Sequence, residues 1–442
     1  MHGPSPTPRL ERSAGIDIAR GFALLGIILV NARFFFLPLG SAIDAGPLPG
    51  DLERSTRDWL VHDAIDALAT YKFISLFSLL FGFGLAQQAA RAAAAGASRW
   101  VTGLRRLGLM LVIGVVHGVF VWYGDVLSLY ALLGTAVLAC IALPDRWLRR
   151  VTAGAMAAML LLSLGGVAMQ WAFADLAERS EAAAAAPDPS MGDGATSTEA
   201  EAPGPAETSD DARGLDAMVA SGLNPFGMTW VNAETRAFRE GPWTDALAFR
   251  SVGFALGLLA APFDHGLHAF VMMLIGVWAQ RSGVFGAGAS GRRRRLALRL
   301  LVIGLPIAVG GIVPLWVMGR EAVAANALAD LGTKLGGLVL PVGYACLAIE
   351  FGPRLPAMLR APVQAAGAIG LTVYLSESVA CTAIASWWGL ARFGTMTDAE
   401  FTVLAACVWA ALAVAALAWT RTVGNGPMER LWRWGTYGSR PA

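Results

Sequence analysis

The sequence predicts an all-α, polytopic integral membrane helix bundle: about ten transmembrane helices plus one interfacial or re-entrant helix. Three observations predict it. Of 442 residues, 56% are hydrophobic and only 15% charged, with a mean hydropathy of +0.55, a composition that excludes an ordinary soluble enzyme. The apolar residues gather into runs close to the roughly 20 residues that cross a bilayer as a helix. Arginines cluster between alternate runs, which assigns those loops to the cytoplasmic side. The net charge of +2 gives no ground for a polyanion, so the bilayer and not nucleic acid is the expected partner. Cys140, Cys346, Cys381 and Cys407 all lie within apolar runs, without metal-ligand spacing, and read as small hydrophobes.

The N-terminal membrane half, residues 1–173, holds five expected spans. Residues 1–15 are polar and basic and read as a short disordered cytoplasmic tail. The first apolar run is too long for the core of a cleavable signal, so it is expected to remain as span Ile16–Phe36. In that helix Asp17, Arg20, Leu24, Ile27 and Asn31 share one face, with Asn31 roughly 16 Å beyond Arg20. Pro38–Thr70 is an external loop with an amphipathic helix around Leu60–Leu68. Tyr71–Ala89 returns, Leu107–Tyr123 and Val126–Leu143 form a hairpin with an aromatic turn, and Val151–Phe173 crosses outward. Residues 174–245 form an acidic external loop whose middle, 180–211, lacks periodicity and reads as disordered.

The C-terminal half, 246–420, begins with an ambiguity. If Ala246–Ala261 and Gly266–Gln280 both crossed, Arg292–Arg295 would lie outside, against the positive-inside rule. Ala246–Ala261, interrupted by Arg250 and ended by Pro262, is therefore read as interfacial or re-entrant. Leu296–Met318, Leu331–Ile349, Val363–Trp388 and Phe401–Thr420 complete ten spans. The arginine-rich tail 421–442 is cytoplasmic, as is the N-terminus. This is the layout of a multi-pass protein of a bacterial inner membrane.

Five stretches together resemble a known family: IDIARGFALLGIILVN, KFISLFSLLFGFGLA, RRLGLMLVIGVVHGVFVWYGDVLSLYALLG, GLTVYLSES and GPMERLWRWGTYG. They are similar to the YeiB-like bacterial polytopic membrane proteins, a domain-of-unknown-function family, over nearly the whole chain outside 174–245. That family in turn looks distantly similar to membrane acyltransferases, including the heparan-α-glucosaminide N-acetyltransferases. The shared first-span pattern is Arg20-Gly21, Ala23-Leu24 and Val30-Asn31. Wider O-acyltransferases carry His where this chain has Asn31, and an amide is no general base. The resemblance thus implies acyl transfer with the proton acceptor elsewhere.

Ionisable groups inside spans are costly, so they are the candidates for chemistry. His117 is an imidazole inside a span and suits a general base; the bland reading is a structural histidine bonded to a neighbouring helix. Asp125 falls on the His117 face if the helix persists past Gly124. Glu377, sharing a face with Gly367, Gly370, Tyr374 and Cys381, could orient His117 or simply pair with Lys72. These give His117, Glu377 and Asp125 as catalytic candidates, with Asn31, Lys72 and Tyr374 binding substrate. Asp17 and Arg20 would bind the donor, an acyl-coenzyme A; Arg105 and Arg106 read as topology signals. His62 is expected to be an exposed loop histidine, with a base role as the alternative. No metal site is expected: His265 and His268 lack a third ligand nearby. Two functions follow. One is a membrane acyltransferase passing an acyl group from a cytoplasmic donor to a small-molecule, glycan or lipid acceptor outside. The other is a transporter or flippase for a small or amphiphilic solute, against which stands the absence of visibly interrupted helices in both halves.

Overall fold

The computed structural model describes residues 13–43, 46–185 and 213–437. The tail before residue 13 and the 186–212 part of the stretch expected to be disordered lie outside the described residues. Among the described residues there are helices and no strands. In chain order they are α1 (Ala14–Phe36), α2 (Leu39–Ala42), α3 (Thr56–Leu68), α4 (Lys72–Ala94), α5 (Arg99–Phe120), α6 (Leu127–Cys140), α7 (Asp145–Ala185), α8 (Gly214–Ala220) and α9 (Met228–Glu240). Then follow α10 (Trp243–Ala260), α11 (His265–Arg281), α12 (Ser290–Val317), α13 (Val323–Phe351), α14 (Ala357–Ala368), α15 (Gly370–Ala385), α16 (Asp398–Thr422) and α17 (Pro427–Tyr437).

Helix α1 runs through the middle, packed by α4, α13, α14, α15 and α16. Small residues allow this. A Cβ on Gly21 would come within 2.0 Å of the Val363 carbonyl, and one on Gly367 within 1.8 Å of the Asp17 carbonyl. Neither position can hold a larger residue without moving α14 off α1. One apolar core surrounds Leu24, Leu76, Met272 and Cys346. A second, richer in aromatics, lies around Phe36, Trp122, Trp230 and Phe393. The second core belongs to the end of the bundle where α1 stops and α3, α8, α9 and α10 form a cap. The other end carries Arg105, Arg106, Arg146, Arg149, Arg150 and Arg292–Arg295.

Among the described residues, eight helices are long and apolar enough to cross a membrane, or nine if the bent pair α14–α15 counts as one span. The chain is a polytopic helical membrane protein. Of these, α10 is long enough to span, yet Trp243 at its start stacks on Phe120 at the cap end of α5, 6.0 Å between ring centroids. Asp264, just past its end, meets Tyr71, which precedes α4 at the same end. Both ends of α10 thus meet residues at the cap end of the bundle. The shorter α6 and α11 do join the two ends: the basic end closes on Arg281, which binds Asp145 at 2.5 Å and the Ile141 and Leu143 carbonyls.

In the tail beyond 421, α17 folds back against α5 and α15. Two elements differ from the sequence reading. Helix α7 continues past Phe173 to Ala185, into the first residues of the stretch expected to be disordered. The Val363–Trp388 span is not one rod: α14 and α15 meet at 94°. Its break falls at Ile369, with φ −118° and ψ 47°, outside helical values. The faces of Gly367 and Tyr374, expected to be continuous, are therefore separate.

Candidate functional site: a buried His–Asp pair beneath the cap

The site grows from the turn after α5. Helix α5 ends at Phe120 and does not persist to Asp125, so the expected shared helical face does not exist. Instead the turn is pinned to the end of α1. Trp122 Nε1 and Tyr123 Oη each donate to the Phe34 carbonyl at 3.3 Å, and Trp122 stacks on Phe35 at 4.2 Å. This folds Asp125 back onto α5. One carboxylate oxygen accepts from the Ser128 backbone N–H at 2.8 Å, closing the first turn of α6, and the other lies 2.9 Å from His117 Nδ1. The approach needs Gly114 beneath it, where a Cβ would stand 2.7 Å from Asp125 Oδ2.

His117 is 3% exposed. With the proton placed on Nδ1 and donated to Asp125, Nε2 keeps its lone pair, and Nε2 is buried with no hydrogen-bond partner among the described residues. The Tyr374 ring lies 5.4 Å from the imidazole, and its hydroxyl accepts from the Val126 N–H at 3.3 Å. One turn further along α15, Glu377 is 2% exposed, and its Oε1 also has no partner among the described residues. Buried polar atoms are normally satisfied. Two orphans in this neighbourhood are the kind a bound substrate would satisfy.

So the structure brings together His117, Asp125 and Tyr374, with Glu377 beside Tyr374. The other candidates stand apart. Lys72 does not reach Glu377: it is fully buried and donates to the Asp66 carbonyl at 2.8 Å. Asn31 is half-buried on α1, one turn from the Phe34–Phe36 end. Asp17 and Arg20 pair at 3.2 Å at the basic end, where Arg106 binds Gln88 at 2.7 Å and lies over the Trp432 ring at 4.3 Å. A 510 Å³ cleft is lined by Asp51, Asn232, Arg236 and Arg239 on the cap, and a small hollow by Tyr71, Asp264 and Lys334. Neither is lined by Arg20, His117 or Glu377. Among the described residues no group of three or more His, Cys, Asp and Glu is gathered as a metal site needs.

Sequence reasoning missed a second polar assembly, built on α3. His62 is not an exposed loop residue; it is 4% exposed, with Nδ1 2.9 Å from Asp398 of α16 and Nε2 3.4 Å from Asp66. Asp66 also binds Arg33 of α1 at 2.9 Å, and Asp398 binds Arg54 at 2.7 Å. Asp63 pairs with Arg320. Each charge has an opposite neighbour, the condition under which buried ions are tolerated. The pattern of acids along 58–66 was visible; their partners, more than 300 residues away in the case of Asp398, were not.

An all-α membrane bundle with a buried His–Asp pair under a helical cap is the class of protein these features define. Residues 279–439 match the family model described as a protein of unknown function, DUF418. The chain is 26% identical to the uncharacterized protein YeiB of Escherichia coli over 434 residues, 96% of each chain. It is equally identical to the uncharacterized protein YxaH of Bacillus subtilis over 449 residues, 99% of this chain and 97% of that one. A shorter match, 34% over 128 residues, covers 29% of this chain and 34% of an uncharacterized 39.9 kDa protein encoded in the amylase 3′ region of Bacillus acidopullulyticus. The chain is thus similar over nearly its whole length to YeiB and YxaH, in line with the resemblance read from its sequence.

Proposed function

We propose that this protein is an acyltransferase of a bacterial inner membrane, with both termini and the basic end in the cytoplasm. The observation that carries the reading is His117, held through Nδ1 by Asp125 and left with a buried, unpartnered Nε2. That is the arrangement of an oriented general base. An acyl-coenzyme A donor would approach from the basic end near Asp17 and Arg20. The acceptor, a small molecule, glycan or lipid bearing a hydroxyl or amine, would approach from the cap end. As the acceptor oxygen or nitrogen bonds to the thioester carbonyl, its proton passes to Nε2. The carbon–sulfur bond then breaks, and the thiolate leaves with that proton. Glu377 and Tyr374 would position the acceptor, and the Asn31 amide would supply a hydrogen bond deeper along α1.

The test is release of free thiol from acetyl-coenzyme A by the protein in liposomes supplied with envelope extract. His117→Ala is expected to lower the rate about a hundredfold or more, the usual worth of a positioned base, and Glu377→Gln to lower it less. If both variants keep full acyl transfer to an identified acceptor, the mechanism fails.

The 94° break between α14 and α15 favours a second reading, since broken helices often frame transport sites. Accumulation of a solute in proteoliposomes with no covalent product would decide for a transporter or flippase.

A further inference from the structure

Three arginines among the described residues are buried: Arg33, Arg250 and Arg293. Two have carboxylates, Arg33 with Asp66 at 2.9 Å and Arg293 with Glu350 at 2.9 Å. Arg250 on α10 is 2% exposed, yet among the described residues it makes neither an ion pair nor a hydrogen bond. Its guanidinium lies over the Phe238 ring, 5.1 Å from the centroid. The buried carboxylate on neighbouring α9, Glu234, is committed elsewhere, accepting from Leu39 N–H at 3.0 Å and Trp230 Nε1 at 2.9 Å. A guanidinium stays charged at any physiological pH. Taking it out of water without a counter-ion is costly, and one aromatic face offsets only part of that cost.

Two further observations say what is missing. The Phe238 carbonyl accepts from Trp387 N–H at 2.9 Å. The residue before it, Ser386, is 1% exposed with an unpartnered hydroxyl. The Arg250 guanidinium and the residue next to Ser386 thus both meet Phe238, one at its ring and the other at its backbone carbonyl. Helix α10 exposes Leu256 and Leu259, and Phe263 just past its end is exposed as well, Leu259 and Phe263 by more than 70%. Apolar side chains so exposed suit contact with acyl chains.

We infer that Arg250 anchors a binding site for a phosphate oxyanion, held in bidentate fashion by the guanidinium fork, with the Ser386 hydroxyl as a second donor and α10 as the surface for an apolar tail. The inference is independent of acyl transfer at His117.

The test uses the full chain in a neutral maltoside detergent, titrated with dihexanoyl phosphatidic acid, inorganic phosphate and uncharged dihexanoylglycerol, and read by tryptophan fluorescence and thermal melting. Saturable binding of at least one phosphate probe, and none of dihexanoylglycerol, is expected. Binding of phosphatidate alone identifies a lipid headgroup; equal binding of inorganic phosphate identifies a free oxyanion. Arg250→Met should weaken binding by about tenfold or more, as loss of a charge-assisted bidentate contact does. Without ligand it should melt no lower than wild type, because it removes an uncompensated buried charge. Arg250→Lys keeps the charge without the fork and should fold, with affinity reduced by about threefold or more. Unchanged affinity in Arg250→Met or Arg250→Lys, or no saturable binding of either phosphate probe, would overturn the proposal.

Discussion

At the scale of single residues, Asp125 does two jobs: it closes the first turn of α6 and fixes the imidazole of His117. Asp125→Asn keeps the shape but can present an N–H to Nδ1, favouring the tautomer whose Nε2 carries the proton. If His117 is a base, transfer should fall about a thousandfold in that variant with little change in acceptor KM, by analogy with other His–Asp pairs; steady-state kinetics at several pH values would show it. His117, Asp125 and Glu377 were legible in the sequence because ionisable groups in apolar runs are conspicuous. Their partners were harder to read. The geometry that unites His117 with Asp125 comes from a turn held by two aromatic donors on one carbonyl, which no spacing rule encodes. Lys72 was legible as buried and misread in partner, since it donates to the backbone carbonyl of Asp66 and not to an acidic side chain, and a backbone acceptor carries no mark in the sequence. Arg250 was noticed as an interruption of an apolar helix; its lack of a counter-ion became visible only in the fold.

Among the elements, α9 and α15 each depend on one carboxylate. Glu234 of α9 is 2% exposed, and burial pushes its pKa up from the ordinary 4.5 to about 7, against the pull of the Leu39 and Trp230 donors. Folded, the carboxyl keeps its proton up to about pH 7; unfolded, it gives the proton up near the ordinary glutamate value. Its stabilising contribution is therefore complete below that value and is lost as pH climbs through about 7. Thermal melting of the purified protein should drop between pH 5 and pH 8, and Glu234→Gln should flatten that slope. At the other end, Glu429 of α17 accepts from the Leu371 and Thr372 N–H groups at 2.8 and 3.1 Å and from the Thr372 hydroxyl at 2.5 Å. It caps the first turn of α15, where helix N–H groups lack partners and favour negative charge. Glu429→Leu should cost about 2–4 kcal/mol in urea unfolding, from two orphaned donors, and Glu429→Gln less than half of that. Apolar runs and arginine clusters made most helices readable. The kink was not, because neither Gly367 nor Gly370 breaks an apolar run.

For the molecule as a whole, the alternation of basic and cap ends follows from the arginine pattern. What single-chain patterning could not supply is the joint between distant elements: α3 is tied by His62 to α16 and by Asp66 to α1. The proposed orientation makes a direct prediction. In a background without the native cysteines, Arg57→Cys at the cap end should react with an impermeant maleimide in intact cells, and Arg146→Cys only after permeabilisation; the reverse pattern would invert the topology. One feature also sets the timetable of biogenesis. The capping glutamate of α15 lies 58 residues beyond Leu371, whose N–H it accepts, so translation must run through the whole of α16 before that inner helix acquires its terminal ligand. Nascent chains stalled before position 429 should therefore stay loosely assembled and fall to quality-control proteases.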